Sequence, residues 1–206
     1  MRIFDTLATR KALPFERLIP ALRVLFAAGC TVPSRHVHEI DTPSGDRMTS
    51  LIMPAWSEGR FYGIKVINIA PANAKLGLPG LHATYLLFDA ATGAPLALMD
   101  GDEITARRTA AASALAASLI ASSAAPPDAR HLLVVGAGRI ARWLPAAYRA
   151  VLPIEQVSVW ARTLAKSEAL AAELRADGFD ACAAPDLEAA VRAADIVSCA
   201  TLSTRR

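Results

Sequence analysis

Hydrophobic and polar positions follow two different rhythms along this chain. From Thr31 to about Leu98, short apolar runs alternate with Pro and Gly. His36-Val37-His38-Glu39-Ile40 has period two, and Thr49–Met53 is a short run closed by Pro54. Gly63-Ile64-Lys65-Val66-Ile67-Asn68-Ile69 reads as a strand with Lys65, Ile67 and Ile69 on one face. Thr84–Asp89 is a further strand, followed by a turn at 91–93 and a last strand near Pro95–Met99. Strands that succeed one another without long helices between them predict antiparallel or mixed pairing. From His131 the rhythm changes to strand, helix, strand, helix, strand. Strands are predicted at 132–135, 157–160, 180–183 and 196–200, and helices at about 139–151, 163–177 and 186–194. That alternation predicts a parallel, doubly wound half-sheet. Pro145 falls in the second turn of the first of these helices, where it is expected to kink it at a cost of up to ~3 kcal/mol.

Two more helices are predicted. Leu18, Leu22, Leu25 and Phe26 fit one face of a helix over about 16–28, with Pro14 and Pro20 as breaks and Gly29 as the stop. Asp102 to about Ala121 is the strongest helix, alanine-dominated and capped by Asp100 or Asp102. Ala125-Pro126-Pro127-Asp128 ends it and marks a boundary. The fold class expected is α/β: a mixed-sheet α+β domain over 1–124, then a partial Rossmann domain over 125–206.

Composition narrows the function classes. Of 206 residues, 53% are hydrophobic, enough for a substantial core. The net charge of +3 is small and the arginines are scattered, so no nucleic-acid partner is expected. The uncharged stretch Thr109–Pro127 is too weakly apolar to span a bilayer, so no membrane partner is expected either. Arg2, Asp5, Arg10 and Lys11 occupy the N-terminus in place of an apolar leader. Cys30, Cys182 and Cys199 have neither metal-ligand spacing nor even pairing, which points to a reducing cytoplasm. His36 and His38 share a strand face, but no third ligand is near in sequence and no metal is expected.

The sharpest chemical signal is the turn after the first strand of the second half. Leu132-Leu133-Val134-Val135 runs into Gly136-Ala137-Gly138-Arg139-Ile140-Ala141, a Gly-x-Gly-x-x-Ala pattern. Gly136 permits the tight bend, Gly138 lets backbone approach a pyrophosphate, and Ala141 is small enough for helix–strand packing. The helix that follows aims its first amides at the anion. The next strand, Val157–Trp160, ends at Ala161-Arg162-Thr163 with no carboxylate at its tip. An acid there would bind the ribose hydroxyl of NAD. Arg162 instead offers a planar cation for adenine and a 2′-phosphate, Thr163 a hydroxyl, and Lys166 a second cation one turn on. NADP(H) is therefore expected, with NAD(H) as the alternative.

Several blocks, in order, are similar to the ornithine cyclodeaminase/mu-crystallin family. They are Val32-Pro33-Ser34-Arg35-His36, Leu51-Ile52-Met53-Pro54-Ala55-Trp56, Gly63-Ile64-Lys65-Val66-Ile67-Asn68 and Tyr85-Leu86-Leu87-Phe88-Asp89. Met99-Asp100-Gly101 leads into Ile104-Thr105-Ala106-Arg107-Arg108-Thr109-Ala110-Ala111, and the glycine turn and Trp160-Ala161-Arg162-Thr163 complete the series. The resemblance covers about residues 30–204. It implies a first domain that binds substrate and forms a homodimer, and a second that binds the nucleotide. It also implies hydride transfer at the α-carbon of an imino or amino acid, and the blocks look most like those of Δ1-pyrroline-2-carboxylate reductases.

By the same resemblance Arg35 and Arg108 would clamp the substrate carboxylate. Lys65 would be the catalytic lysine, hydrogen-bonding the substrate and keeping the imine protonated. The cofactor residues implied are Gly136, Ala137, Gly138, Arg139, Ile140, Ala161, Arg162, Thr163, Ala200, Thr201 and Leu202. Residue patterns alone leave rival readings open: Lys65 as a solvent-facing strand lysine, and one of Arg107 and Arg108 as a solvated arginine. Asp100 and Asp102 read as a helix cap rather than an acid–base pair. Alternatives at the level of function are an ornithine cyclodeaminase using NAD and a non-catalytic small-molecule-binding module.

The family's chains are about half as long again, and this sequence ends after its fourth Rossmann strand at Thr201-Leu202-Ser203-Thr204-Arg205-Arg206. The expectation is a C-terminally truncated chain with an open sheet edge and a poorly held nicotinamide, its activity compromised.

Overall fold

The computed structural model describes residues 1–124 and 129–201. The chain divides into two compact units. One comprises residues 1–14 and 23–105, the other residues 15–22 and 106–201 of the described chain. The division falls inside the long alanine-rich helix and inside the helix expected at 16–28, not at residue 124. The segment 125–128, where the sequence suggested a boundary, lies outside the described residues.

The first unit is built on a six-stranded mixed sheet. Its strands are β1 (Arg2–Phe4), β2 (His36–Asp41), β3 (Arg47–Ser57), β4 (Phe61–Ile69), β5 (Leu81–Asp89) and β6 (Pro95–Asp100), in spatial order β1-β6-β5-β4-β3-β2. Consecutive strands from β2 to β6 pair antiparallel, as short connections require. Strand β1 adds in parallel to β6 and had no counterpart in the sequence reading, nor did α1 (Thr6–Ala12). Asp5 caps α1 through its carboxylate, which accepts from the Ala8 amide at 2.8 Å.

Pro54 does not close its strand: β3 runs through it to Ser57. The reason lies in which edge it faces. Trp56 exchanges two backbone hydrogen bonds with Thr31, at 2.9 and 3.0 Å. Pro54, two residues earlier, points its nitrogen to that same side. Strand β2 starts only at His36, opposite Ile52, so no ladder bond is lost at Pro54.

Asp100 ends β6 and caps α3 (Gly101–Ala124): one carboxylate oxygen accepts from the amides of Asp102 and Glu103 at 2.8 and 2.9 Å. The other accepts from the Thr6 hydroxyl at 2.5 Å. The cap reading holds, with Asp100 as the cap.

The second unit is a parallel sheet of β7 (His131–Val135), β8 (Gln156–Trp160), β9 (Asp180–Ala183) and β10 (Ile196–Cys199), in order β10-β7-β8-β9. Helices α4 (Arg139–Arg149), α5 (Leu164–Ala176) and α6 (Leu187–Ala193) connect them. Strands covered on both faces need continuous apolar runs, and Leu132, Leu133, Val134, Val157 and Val159 have no exposed surface. Ala110, Ala111 and Ala114 of α3 and Ala141 and Leu144 of α4 close one face. Asp195, before β10, accepts from the amides of Arg130 and His131 at 2.8 Å each. Those donors hold its carboxyl below the usual carboxylate range and tie the start of β7 to the start of β10.

Pro20 does not break its helix, and Pro145 does not end its own. Helix α2 (Phe15–Ala28) continues through Pro20, with Pro14 as its N-cap residue, and α4 runs through Pro145. Each proline forfeits one backbone bond, and burial of the surrounding face outweighs that loss. The buried face of α2 is also different from the one expected. Phe15 and Ile19 are in the core with Leu18 and Leu22 against it, whereas Leu25 and Phe26 are exposed. No helix among the described residues is long and apolar enough to cross a membrane.

Candidate functional site

Strand register places the expected substrate residues of the first unit. Lys65 lies in β4, opposite Met53 of β3 and Tyr85 of β5, and Tyr85 lies opposite Met99 of β6. Residues in one cross-strand row share a face, so Lys65 stands on the face of Gly63, Ile67 and Tyr85. Lys65 is half-buried. Arg35, exposed, directly precedes β2, whose first residue faces Ile52. It stands at the level of the Met53–Lys65 row, two strands from Lys65, or about 10 Å across the sheet. The other face of this sheet carries an aromatic row: Trp56 and Tyr62 are 6.3 Å apart and Tyr62 and Phe88 5.4 Å apart. A shallow cleft beside that row, lined by Trp56, Tyr62 and Asp89, contains none of the expected site residues.

Arg107 and Arg108 belong to the second unit, and the structure distinguishes them. Arg107 is buried, its guanidinium 4.1 Å from the Phe15 ring centre and 4.8 Å from that of Trp143. Arg108 is exposed. The solvated arginine and the expected substrate arginine are therefore the same residue.

The expected nucleotide residues gather at the carboxyl ends of three neighbouring strands. Gly136 follows β7, and its amide donates to the Trp160 carbonyl at the end of β8, 2.7 Å away. The Ala200 amide, after β10, donates to the Val135 carbonyl at 2.8 Å. Gly136 has φ +124°, and a Cβ there would lie 2.4 Å from the Ala200 carbonyl oxygen and 3.4 Å from Thr201 Cγ2. Only glycine fits this junction. Gly138 is the N-cap residue of α4, and nothing lies within 4 Å of where its Cβ would be. Gly138 has no side chain to cap α4, and the positive end of the helix lies at this turn. These are the features a pyrophosphate needs, and the residues present fit a dinucleotide.

Between α4 and α5 is an open cleft of about 460 Å³ lined by Ala137, Gly138, Arg139, Arg142, Lys166 and Glu173, among others. Arg142 is held by Glu173 at 3.0 Å and by Asp177. Arg162 and Thr163 are exposed after the end of β8, Lys166 is exposed in the first turn of α5, and Thr163, the N-cap residue of α5, makes no side-chain cap bond. Ala161 is half-buried, Ile140 packs on the core, and Leu202 lies outside the described residues. Sequence reasoning missed Gly63 and Tyr85 as a contacting pair. An aromatic two strands' worth of sequence from a lysine carries no local signal of facing it.

A mixed antiparallel sheet followed by a parallel β-α-β half-sheet with a glycine turn at its switch point defines a dinucleotide-binding protein of the Rossmann class. The profile of the ornithine cyclodeaminase/mu-crystallin family matches residues 26–206, and the chain belongs to that family. It is 43% identical to a Δ1-pyrroline-2-carboxylate reductase of Paracoccus denitrificans over 93% of this chain and 58% of that protein. It is 35% identical to one of Colwellia psychrerythraea over 98% of this chain and 63% of that one. A solved structure of the Thermococcus litoralis Δ1-pyrroline-2-carboxylate reductase, in complex with NADH and L-proline, superposes with a TM-score of 0.82 at 29% identity. That match covers 98% of this chain and 62% of the other. The chain thus spans about three-fifths of the length of these relatives.

Proposed function

We propose that this protein is an NAD(P)H-dependent reductase that converts a cyclic imino acid of the Δ1-pyrroline-2-carboxylate type to the amino acid. The observation that carries the reading is the run of identity, 35–43%, to reductases of that name along nearly the whole chain. The Lys65 row and the glycine turn of α4 are its physical support. The cofactor supplies the hydride. The protein binds, orients and protonates. Arg35 and Arg108 pair with the substrate carboxylate, and the Lys65 ammonium hydrogen-bonds the substrate and keeps the imine nitrogen protonated by passing it a proton from Nζ, which makes the imine carbon a better hydride acceptor. Incubating the protein with NADPH and Δ1-pyrroline-2-carboxylate is expected to yield proline. Absence of both turnover and saturable binding of L-proline overturns the reading. Net ammonia release from ornithine would support a cyclodeaminase instead.

NADP(H) is the preferred cofactor in this reading, supported by the missing carboxylate at the end of β8, by the exposed Arg162 that follows that strand, and by Arg139 and Lys166 lining the α4–α5 cleft. Replacing Arg162 by Ala removes a charge-assisted contact to the 2′-phosphate, and should raise the Kd for NADPH by about tenfold or more. The Kd for NADH, which lacks that phosphate, should move less than about twofold, as isothermal titration would record. Equal weakening of both nucleotides refutes the phosphate role.

The first unit is also proposed as the dimer-forming unit. Every residue of β2 is exposed, among them Val37 at 54% and Ile40 at 43%, and an uncovered apolar edge strand is a template for association. Light scattering should give twice the 21.8 kDa chain mass; a strictly monomeric mass at micromolar concentration rejects this.

A further inference from the structure

The residue facing Lys65 across the β4–β5 ladder is Tyr85. Its ring does not stand away from the sheet. It leans diagonally over Gly63, two residues before Lys65 on the same face. A Cβ on Gly63 would lie 2.0 Å from the phenol oxygen and 2.7 Å from Cζ. The phenol therefore occupies the space that any other residue at 63 would fill. Tyr85 is half-buried, and no described residue makes a hydrogen bond to its hydroxyl. Burial raises the phenol above its ordinary value, and the Cys30 thiol acts in the same direction. At neutral pH the group is a proton donor and never a phenolate.

A half-buried donor without a protein acceptor takes its acceptor from water or from a ligand. Two features favour a ligand. The ring is seated by a glycine, so its orientation is held without help from a hydrogen bond. It also shares its row with Lys65, the residue we assign to substrate. The chemistry of the substrate then limits what the hydroxyl can meet. A protonated cyclic imino acid has no lone pair left on nitrogen, so its acceptor is the carboxylate, which has about four acceptor sites.

We propose that Tyr85 is a substrate-binding residue whose hydroxyl donates a hydrogen bond to the carboxylate of the imino acid, with Gly63 providing the seat for its ring. This rests on the reading of the Lys65 face as the substrate face. It assigns to that face a neutral donor beside the cations, and it makes Gly63 a binding determinant that touches no substrate.

The test is Tyr85→Phe in the whole protein, which keeps the ring over Gly63 and removes only the hydroxyl. KM for Δ1-pyrroline-2-carboxylate and the Kd for L-proline should each rise about tenfold, the effect of one hydrogen bond to a charged group. kcat should stay within about threefold, and Tm and the Kd for NADPH should not move. Gly63→Ala displaces the ring, so it should show the same KM defect and add little when combined with Tyr85→Phe. A water-bound or merely structural hydroxyl predicts unchanged KM in Tyr85→Phe, and that result overturns the proposal. If the unmodified protein binds L-proline and Lys65→Ala abolishes turnover while Tyr85→Phe behaves as wild type, only the Tyr85 assignment falls. If the unmodified protein neither binds L-proline nor reduces the imine, the substrate reading falls and this proposal with it.

Discussion

Lys65→Ala is expected to lower kcat/KM for imine reduction by about 10³-fold, within the range typical of a removed proton donor. The argument begins with position. Lys65 is in the third of six strands counted from the β2 edge, flanked in register by Met53 and Tyr85, and only half-exposed. A lysine in such a row keeps its aliphatic stem on the sheet and brings its ammonium to whatever occupies that face. The imine must remain protonated while hydride arrives, so loss of the ammonium should fall mainly on kcat. Loss of carboxylate binding, as in Arg35→Ala, should fall mainly on KM. Lys65→Arg should restore little, because a planar guanidinium cannot replace a compact three-donor ammonium in the same space. NADPH binding and Tm should be nearly unchanged in Lys65→Ala. A kcat/KM within threefold of wild type removes Lys65 from the proposed mechanism.

The second large effect is at the glycine turn. Gly136→Val should abolish saturable NADPH binding and destabilise the second unit by roughly 2–5 kcal/mol. Two terms contribute. The φ of +124° is one that a β-branched residue adopts only under strain, and the new Cβ would meet the Ala200 carbonyl oxygen at 2.4 Å. Relief requires β7 and β10 to part at their carboxyl ends, where the pyrophosphate is expected. Gly138→Ala separates folding from binding. Its Cβ would meet no protein atom within 4 Å, and α4 starts there with ordinary extended backbone, so stability should be unaffected. Only a phosphate lying over the turn would meet the added methyl group, and the Kd for NADPH should rise about tenfold by that contact alone. Wild-type binding in Gly138→Ala would place the nucleotide elsewhere.

How far these sites were legible before the fold is seen differs between the two units. In the second, β7, β8, β9 and β10 match the expected strands to within a residue or two; β7 and β8, buried on both faces, are written as near-continuous apolar runs, while β9 and β10, each with exposed residues, are marked by the alternation of short strands with helices. The Gly136–Ala141 pattern is local, and a turn of that sequence can be read without its neighbours. The first unit was read less completely. The expected strands are present, but β1 pairs with residues almost a hundred positions away, and three residues carry no periodicity that announces it. Pro54 looked like a terminus because the sequence does not tell which edge its nitrogen faces. Arg107 and Arg108 are chemically equal neighbours, and one step of helical rotation buries the first between Phe15 and Trp143 and exposes the second.

The order of elements, the parallel half and its glycine turn, and the Asp100 cap are properties of the chain itself, since each depends on residues close together in sequence. Which residues face Lys65, that the Tyr85 ring lies on Gly63, and that Gly136 abuts Ala200 were decided by tertiary structure. Those contacts join strands through register and side-chain lean, and the pairing of distant segments is set by the packing of the whole sheet rather than by any local pattern.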